Sequence, residues 1–109
     1  MTPFNNCIAL GVENMEATAN AFVRHFGGEV TDRHFDWIEV TTGPYRFYFV
    51  EDGTRDIAFS VECPRGEMEA ALHRMADDGF VVDAEITERV GETFVRDPNG
   101  ILINLNEVD

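Results

Sequence analysis

IALGVE at residues 8–13 returns as IAFSVE at residues 57–62, with four of six positions identical at an offset of 49, and this recurrence decides the fold. After the first copy, Met15, Ala19, Phe22, Val23 and Phe26 recur at the spacing of one helical face. Asn14 is placed to cap that helix and Gly27-Gly28 to stop it. After the second copy, Met68, Ala71, Leu72 and Met75 do the same, and Gly79 ends the run. The helix faces align at an offset of 52, a three-residue insertion around Pro64-Arg65-Gly66 accounting for the change, and FYF at 47–49 falls on INL at 103–105.

Short alternating segments fill the remainder: CIALGV at 7–12, WIEV at 37–40, RFYFV at 46–50, DIAFSV at 56–61, FVVDAEI at 80–86, TFV at 93–95 and ILINL at 101–105. Turn signals bound them, among them Gly43-Pro44, Asp52-Gly53 and Asp97-Pro98-Asn99-Gly100. The chain therefore reads as one α+β domain of two βαβββ modules, 1–53 and 54–109, with no linker. Neither module can bury the helix-facing side of its strands alone, so the two must share a sheet or pack together. Period two places Ile8, Leu10, Val12, Ile38, Val40, Phe47, Phe49, Ile57, Phe59, Val61, Val95, Ile103 and Leu105 beneath the helices. The other face takes Cys7, Ala9 and Gly11, then Trp37 and Glu39, Arg46 and Tyr48, Asp56, Ala58 and Ser60, Phe94 and Arg96, and Asn104 with Asn106.

The 109 residues (12.3 kDa) are 44% apolar and 27% charged, the balance of a single compact domain. Eight basic residues, all arginine, stand against 21 acidic ones, a net charge of −13. Such a field repels phosphate backbones and anionic headgroups, so nucleic acid and membrane surfaces are excluded as partners, while neutral or cationic ligands remain. It equally keeps a small protein soluble. No uncharged stretch approaches the roughly 20 residues of a spanning helix, and MTPFNNC has neither a basic nor an apolar leader region. A cytoplasmic location is the expectation. Cys7 and Cys63 show no metal-ligand spacing and read as reduced thiols.

The strand and Gly-terminated helix CIALGVENMEATANAFVRHFGG, the restart DIAFSVE and the closing FVRDPNGILINL together resemble the vicinal oxygen chelate superfamily: glyoxalases, bleomycin-resistance proteins and extradiol dioxygenases. The resemblance covers nearly the whole chain. It implies two modules forming curved mixed sheets around a cleft. It also implies that four strand positions, which hold a divalent metal in catalytic members, converge there. Those positions are Cys7, Tyr48, Asp56 and Asn104. A metal site wants imidazole, thiolate or anionic oxygen; Tyr48 is neutral near pH 7 and Asn104 offers only an amide carbonyl. His25 and His73 fall on helices and His34 near a loop. No metal and no other cofactor is therefore expected.

Each residue of this face carries two readings. Trp37 either stacks on a planar ligand or closes the core or a dimer contact. Glu39 and Asp56 either attract a cation or work as acid and base, and a solvated strand face explains them as well. Arg46 and Arg96 either clamp a ligand carboxylate or neutralise those acids. Cys7 is a nucleophile or, with no base in the pattern, a small packing residue. Tyr48 and Asn104 hydrogen-bond a ligand or each other, and Ser60 and Phe94 complete the lining.

Three functions are compatible with this pattern, and no catalytic residue is assigned by it. The first is a metal-independent binding protein of the bleomycin-resistance kind that sequesters a small aromatic or cationic molecule. The second is a metal-dependent lyase, isomerase or dioxygenase with an atypical ligand set. The third is an interaction module whose cleft has degenerated. Unpaired sheet edges and the habit of the family point to a homodimer, with the cleft within one chain or across two.

Overall fold

A computed structural model describes residues 4–109; Met1, Thr2 and Pro3, which open the segment searched for a leader, lie outside the described residues. The described residues form two compact units, one of residues 6–57 and one of residues 4–5 with 58–109. The chain passes from one to the other inside β1 (Phe4–Gly11), where Asn6 takes a φ of 66°. Asparagine tolerates that left-handed conformation better than most residues do.

In the unit of residues 6–57, β2 (Glu29–Arg33), β3 (Trp37–Thr42), β4 (Tyr45–Val50) and β1 lie side by side in that order. β2, β3 and β4 are antiparallel neighbours, and β1 runs parallel to β4 with Cys7 opposite Arg46 and Ala9 opposite Tyr48. Helix α1 (Met15–Phe26) starts and stops where the sequence says. The Asn14 side chain accepts from the Ala17 N–H at 3.0 Å, the Glu51 carboxylate accepts from the Met15 N–H at 2.7 Å, and Gly27 closes the helix in the left-handed region. Its inner face completes a core of Ala19, Ile38, Val40 and Phe49, flanked by Leu10, Val12, Met15, Phe22, Val30 and Phe47. The period-two assignment of the helix-facing side holds throughout this core. One strand, β2, escapes the alternating segments named above, because Val30 is its single apolar residue.

In the other unit, β5 (Ile57–Pro64), β8 (Leu102–Val108), β7 (Thr93–Arg96) and β6 (Val81–Val82) follow in that order, with α2 (Met68–Asp77) after β5. Cys63, Ala71, Val95 and Leu105 are buried. Two expectations need correction here. Ile57 and Phe59 do not lie beneath a helix: they are 56% and 42% exposed. Alternation sorts a strand's residues by face without showing that a helix covers that face along its whole length, and the burial pattern of β5 leaves its start uncovered. Phe59 meets Phe4 edge to face instead, ring centres 6.0 Å apart.

The segment 80–86 is also not one strand. β6 is cut to Val81–Val82, and a third helix, α3 (Ala84–Val90), follows. Asp83 supplies the reason, because its carboxylate accepts from the Ile86 N–H at 3.1 Å and so caps the new helix. Gly91, in the left-handed region, ends it, and Glu85 pairs with Arg89 one turn along. Thr87 takes the place of a strand partner, its hydroxyl accepting from the Phe94 N–H at 2.9 Å.

The Ile86 N–H, with the Arg96 guanidinium beside it, holds the Asp83 carboxyl below the usual carboxylate range. A folded-state value lower than the unfolded one of about 3.9 gives stability that is present above that pH and lost as pH falls through the folded value. We expect Asp83→Ala to cost about 1 kcal/mol at pH 7 and to flatten the fall in stability below about pH 4. Urea unfolding of the two proteins at pH 7 and pH 3 measures both effects; equal stabilities at pH 7 would remove the cap from the account.

Candidate functional site

The face of residues 6–57 turned away from α1 is built on three adjacent strands. Alternation points Trp37, Glu39 and Thr41 of β3, and Arg46 and Tyr48 of β4, to this side. Trp37 stacks on Tyr48, ring centres 4.9 Å apart at 13°, and on His34 at 4.0 Å and 26°. His34 lies on the β2 side and Tyr48 on the β4 side, so the three rings form a ladder across the strands with the indole as its middle rung.

Beneath the ladder sits Glu39, a buried carboxylate with three partners. The Thr31 hydroxyl donates to Oε1 at 2.6 Å, the Arg46 guanidinium stands 3.6 Å from Oε2, and the Tyr48 hydroxyl donates to the same carboxylate. Burial first, and then the hydrogen bond to Glu39, push the Tyr48 phenol above its usual range. It is therefore a neutral donor at every physiological pH. The solvated-face reading of Glu39 is set aside by its side-chain exposure of 11%, and Arg46 takes the neutralising role. Cys7 is a buried free cysteine near Tyr48. Asp56 stands at the far end of β1: its carbonyl accepts from the Gly11 N–H at 2.9 Å and its carboxylate from the Ile57 N–H at 2.8 Å.

The second unit gathers Ser60, Phe94 and Asn104, all buried. Ser60 receives a hydrogen bond from Asn5 at 3.1 Å and donates to Asn104 at 3.4 Å, while the Asn104 amide donates to the Thr93 carbonyl at 3.3 Å. Arg96 is engaged away from these three: it holds Asp83 at 2.9 Å and the Gly100 carbonyl at 2.9 Å, which ties the start of α3 to the Asp97–Gly100 turn. One of its partners is thus a helix cap.

The donor chemistry at the four family metal positions does not suit a divalent ion. Tyr48 is held protonated on Glu39, and the Asn104 amide is spent on Ser60 and Thr93. That leaves Cys7 and Asp56 as donors, short of the three or more that such an ion needs. Among the described residues no group of three His, Cys, Asp or Glu side chains is placed to hold a metal.

Two members of the site were not found from the sequence. His34 follows no apolar period, and only its place in a turn beside Trp37 hinted at it. Thr31 sits on β2, the strand that alternation does not reveal, opposite the Glu39 end of β3.

No family model and no curated protein matches the sequence. Solved structures do match in fold. A glyoxalase/bleomycin resistance protein/dioxygenase superfamily member from Vibrio splendidus 12B01 superimposes with a TM-score of 0.65 at 14% identity, over 99% of this chain and all of that one. A protein described as an NAD-dependent benzaldehyde dehydrogenase from Legionella pneumophila gives 0.68 at 10% identity, over 94% and 98% of the two chains. The methylmalonyl-CoA epimerase of Streptomyces coelicolor gives 0.63 at 15%, over 98% of each. The chain thus has the glyoxalase/bleomycin-resistance, or vicinal oxygen chelate, fold. The names of the neighbours span different reactions, so the fold by itself assigns none of them here.

Proposed function

We propose that the protein is a metal-independent small-molecule binding protein that sequesters a small aromatic or cationic ligand. The His34–Trp37–Tyr48 ladder above a buried, fully partnered carboxylate carries the proposal. Three stacked rings present flat, polarisable surface that gains on desolvation, and the set of hydrogen bonds under them holds that surface in one shape. The net charge of −13 favours neutral and cationic molecules over anionic ones. The dimeric state expected from the sequence belongs to the same proposal, with the exposed Phe4–Phe59 pair in its support.

A thermal-shift panel of cationic antibiotics, neutral aromatics and divalent metals tests the reading. We expect at least one organic compound to raise the Tm, the rise to persist in EDTA, and Trp37→Ala to abolish it while His73→Ala on α2 leaves it unchanged. A stabilisation by metal alone, or a shift indifferent to Trp37, would overturn it. No helix among the described residues is long and apolar enough to cross a membrane.

A further inference from the structure

We infer that the groove between α2 and β6 is a further binding site, one that takes a slender apolar molecule with a cationic end, of the class of the alkyl amines. The groove lies wholly within the unit of residues 58–109 and is independent of the aromatic ladder.

Its walls are apolar and its space is open. The cavity measures about 440 Å³ and is lined by Leu72, Met75 and Ala76 of α2, by Phe80 and Val82 across from them, and by Val95 of β7. That volume falls within the range of about 300–1,000 Å³ usual for small-molecule sites. Val95 is buried and forms the floor, whereas Val82, on the outermost strand of the sheet, is left exposed. Successive strand residues face opposite ways, so Phe94, the neighbour of Val95, lies on the other side, where it joins Ser60 and Asn104. The groove is therefore separate from that buried cluster.

The groove also has a direction. Glu69, Leu72 and Ala76 follow one another at three- and four-residue spacing along α2, a stripe about 10 Å long. Phe80 stands at the C-terminal end of that stripe, where its N–H donates to the Met75 carbonyl at 2.9 Å. Glu69, in the first turn of the helix, stands at the other end. A narrow body laid along the stripe thus has apolar walls for most of its length and a carboxylate at one end.

The polar groups decide the sign of the end group. Glu69 and, one turn on, His73 are the polar members of the lining, and no arginine of the described residues joins them. A carboxylate at the end of an apolar groove favours a positive partner, and the net charge of −13 opposes an anionic one. Burial of the hydrocarbon supplies the affinity, and Glu69 orients the molecule. A peptide added as a further strand is disfavoured, because β6 offers two residues, too few for a ladder of main-chain hydrogen bonds.

The test titrates octylammonium chloride, octanol and sodium octanoate separately into the full-length protein, followed by calorimetry and nuclear magnetic resonance. Octylammonium should bind saturably and tighter than the other two, with nuclear Overhauser contacts from its chain to the methyl groups of Leu72, Ala76 and Val82. Ala76→Phe places a ring in the groove from an exposed helix position and should weaken binding by about tenfold or more. Glu69→Gln should weaken it about threefold, the size of an exposed ion pair, and remove the advantage over octanol. Octylammonium has no ring to stack on the ladder, so the indole N–H signal of Trp37 should stay still, which tells the two sites apart. The contacts in the wild-type protein keep the test informative should Ala76→Phe fold poorly. Octanoate bound tighter than octylammonium would overturn the cationic assignment. Contacts to Trp37 or Tyr48 in place of Leu72 and Val82, or an affinity indifferent to Ala76→Phe in a folded variant, would remove the groove from the account. Silence of all three probes would sink the proposal, and a molar mass that falls on Ala76→Phe by light scattering would then assign the groove to a second copy of the chain.

Discussion

Phe49→Ala is expected to lower the stability of the protein by about 3–5 kcal/mol. Phe49 is fully buried, its ring centre 4.7 Å from that of Phe22 and 6.4 Å from that of Phe47, in a core closed by Ile38, Val40 and Ala19. Removing the ring loses its transfer free energy and leaves a cavity that three elements, α1, β3 and β4, cannot all close in upon. Against a total of about 5–15 kcal/mol for a domain of this size, the loss takes a large share of the whole. The effect reaches the site because Phe49 is the immediate neighbour of Tyr48 and stands opposite Ile38, next to Trp37. Urea unfolding measures the first effect, and loss of Trp37 near-ultraviolet dichroism below the unfolding transition measures the second. Phe35→Ala provides the contrast, since a ring 93% exposed should cost within about 0.5 kcal/mol of nothing. Equal costs for the two substitutions would contradict the placement of the core.

The second large effect comes from the smallest side chain on the site face. Gly11→Ala sets a methyl carbon 1.8 Å from the Thr54 carbonyl oxygen and 2.5 Å from the Thr54 carbonyl carbon. Both atoms are backbone, so no flexible side chain can swing aside. The 54–56 segment must move, and the 2.9 Å bond from the Gly11 N–H to the Asp56 carbonyl goes with it. Overpacking of this kind costs about 1–3 kcal/mol, and a lost buried hydrogen bond adds about 1 kcal/mol. A loss on the order of 3 kcal/mol is therefore expected, with faster hydrogen exchange at residue 11. The backbone φ of Gly11 is not in the left-handed region, so the effect is steric and not conformational. A variant as stable as the wild type would show that Thr54 does not lie over β1.

How much of this was legible beforehand depends on what each feature is made of. The limits of α1 were readable because Asn14 and Gly27 mark them chemically, and the core face was readable because period two sorts Ile38, Val40, Phe47 and Phe49 without regard to context. β2 was not, since Glu29, Thr31, Asp32 and Arg33 carry no apolar alternation. α3 was hidden by its start: Phe80 to Ile86 can be scanned as a strand until Asp83 is recognised as a cap and Gly91 as a stop. Periodicity also assigns a residue to a face without saying what covers it. It therefore placed Glu39 correctly on its strand yet left open whether water or the Thr31, Arg46 and Tyr48 side chains surround it, and it set Ile57 and Phe59 beneath a helix although both are exposed. The His34 rung lies in a turn, where no period operates, and only coordinates bring its ring to 4.0 Å from the indole.

The account as a whole stands on Trp37 as the central element of a binding surface that works without a metal. The indole N–H of this single tryptophan gives one nuclear magnetic resonance signal. It can be followed in EDTA-treated protein while a compound that raises the Tm is added. A saturable shift of that signal, reaching its midpoint at the same concentration as the thermal stabilisation, is the predicted result. A signal that stays still while the protein is stabilised, or that moves only after a divalent ion is restored, would contradict it.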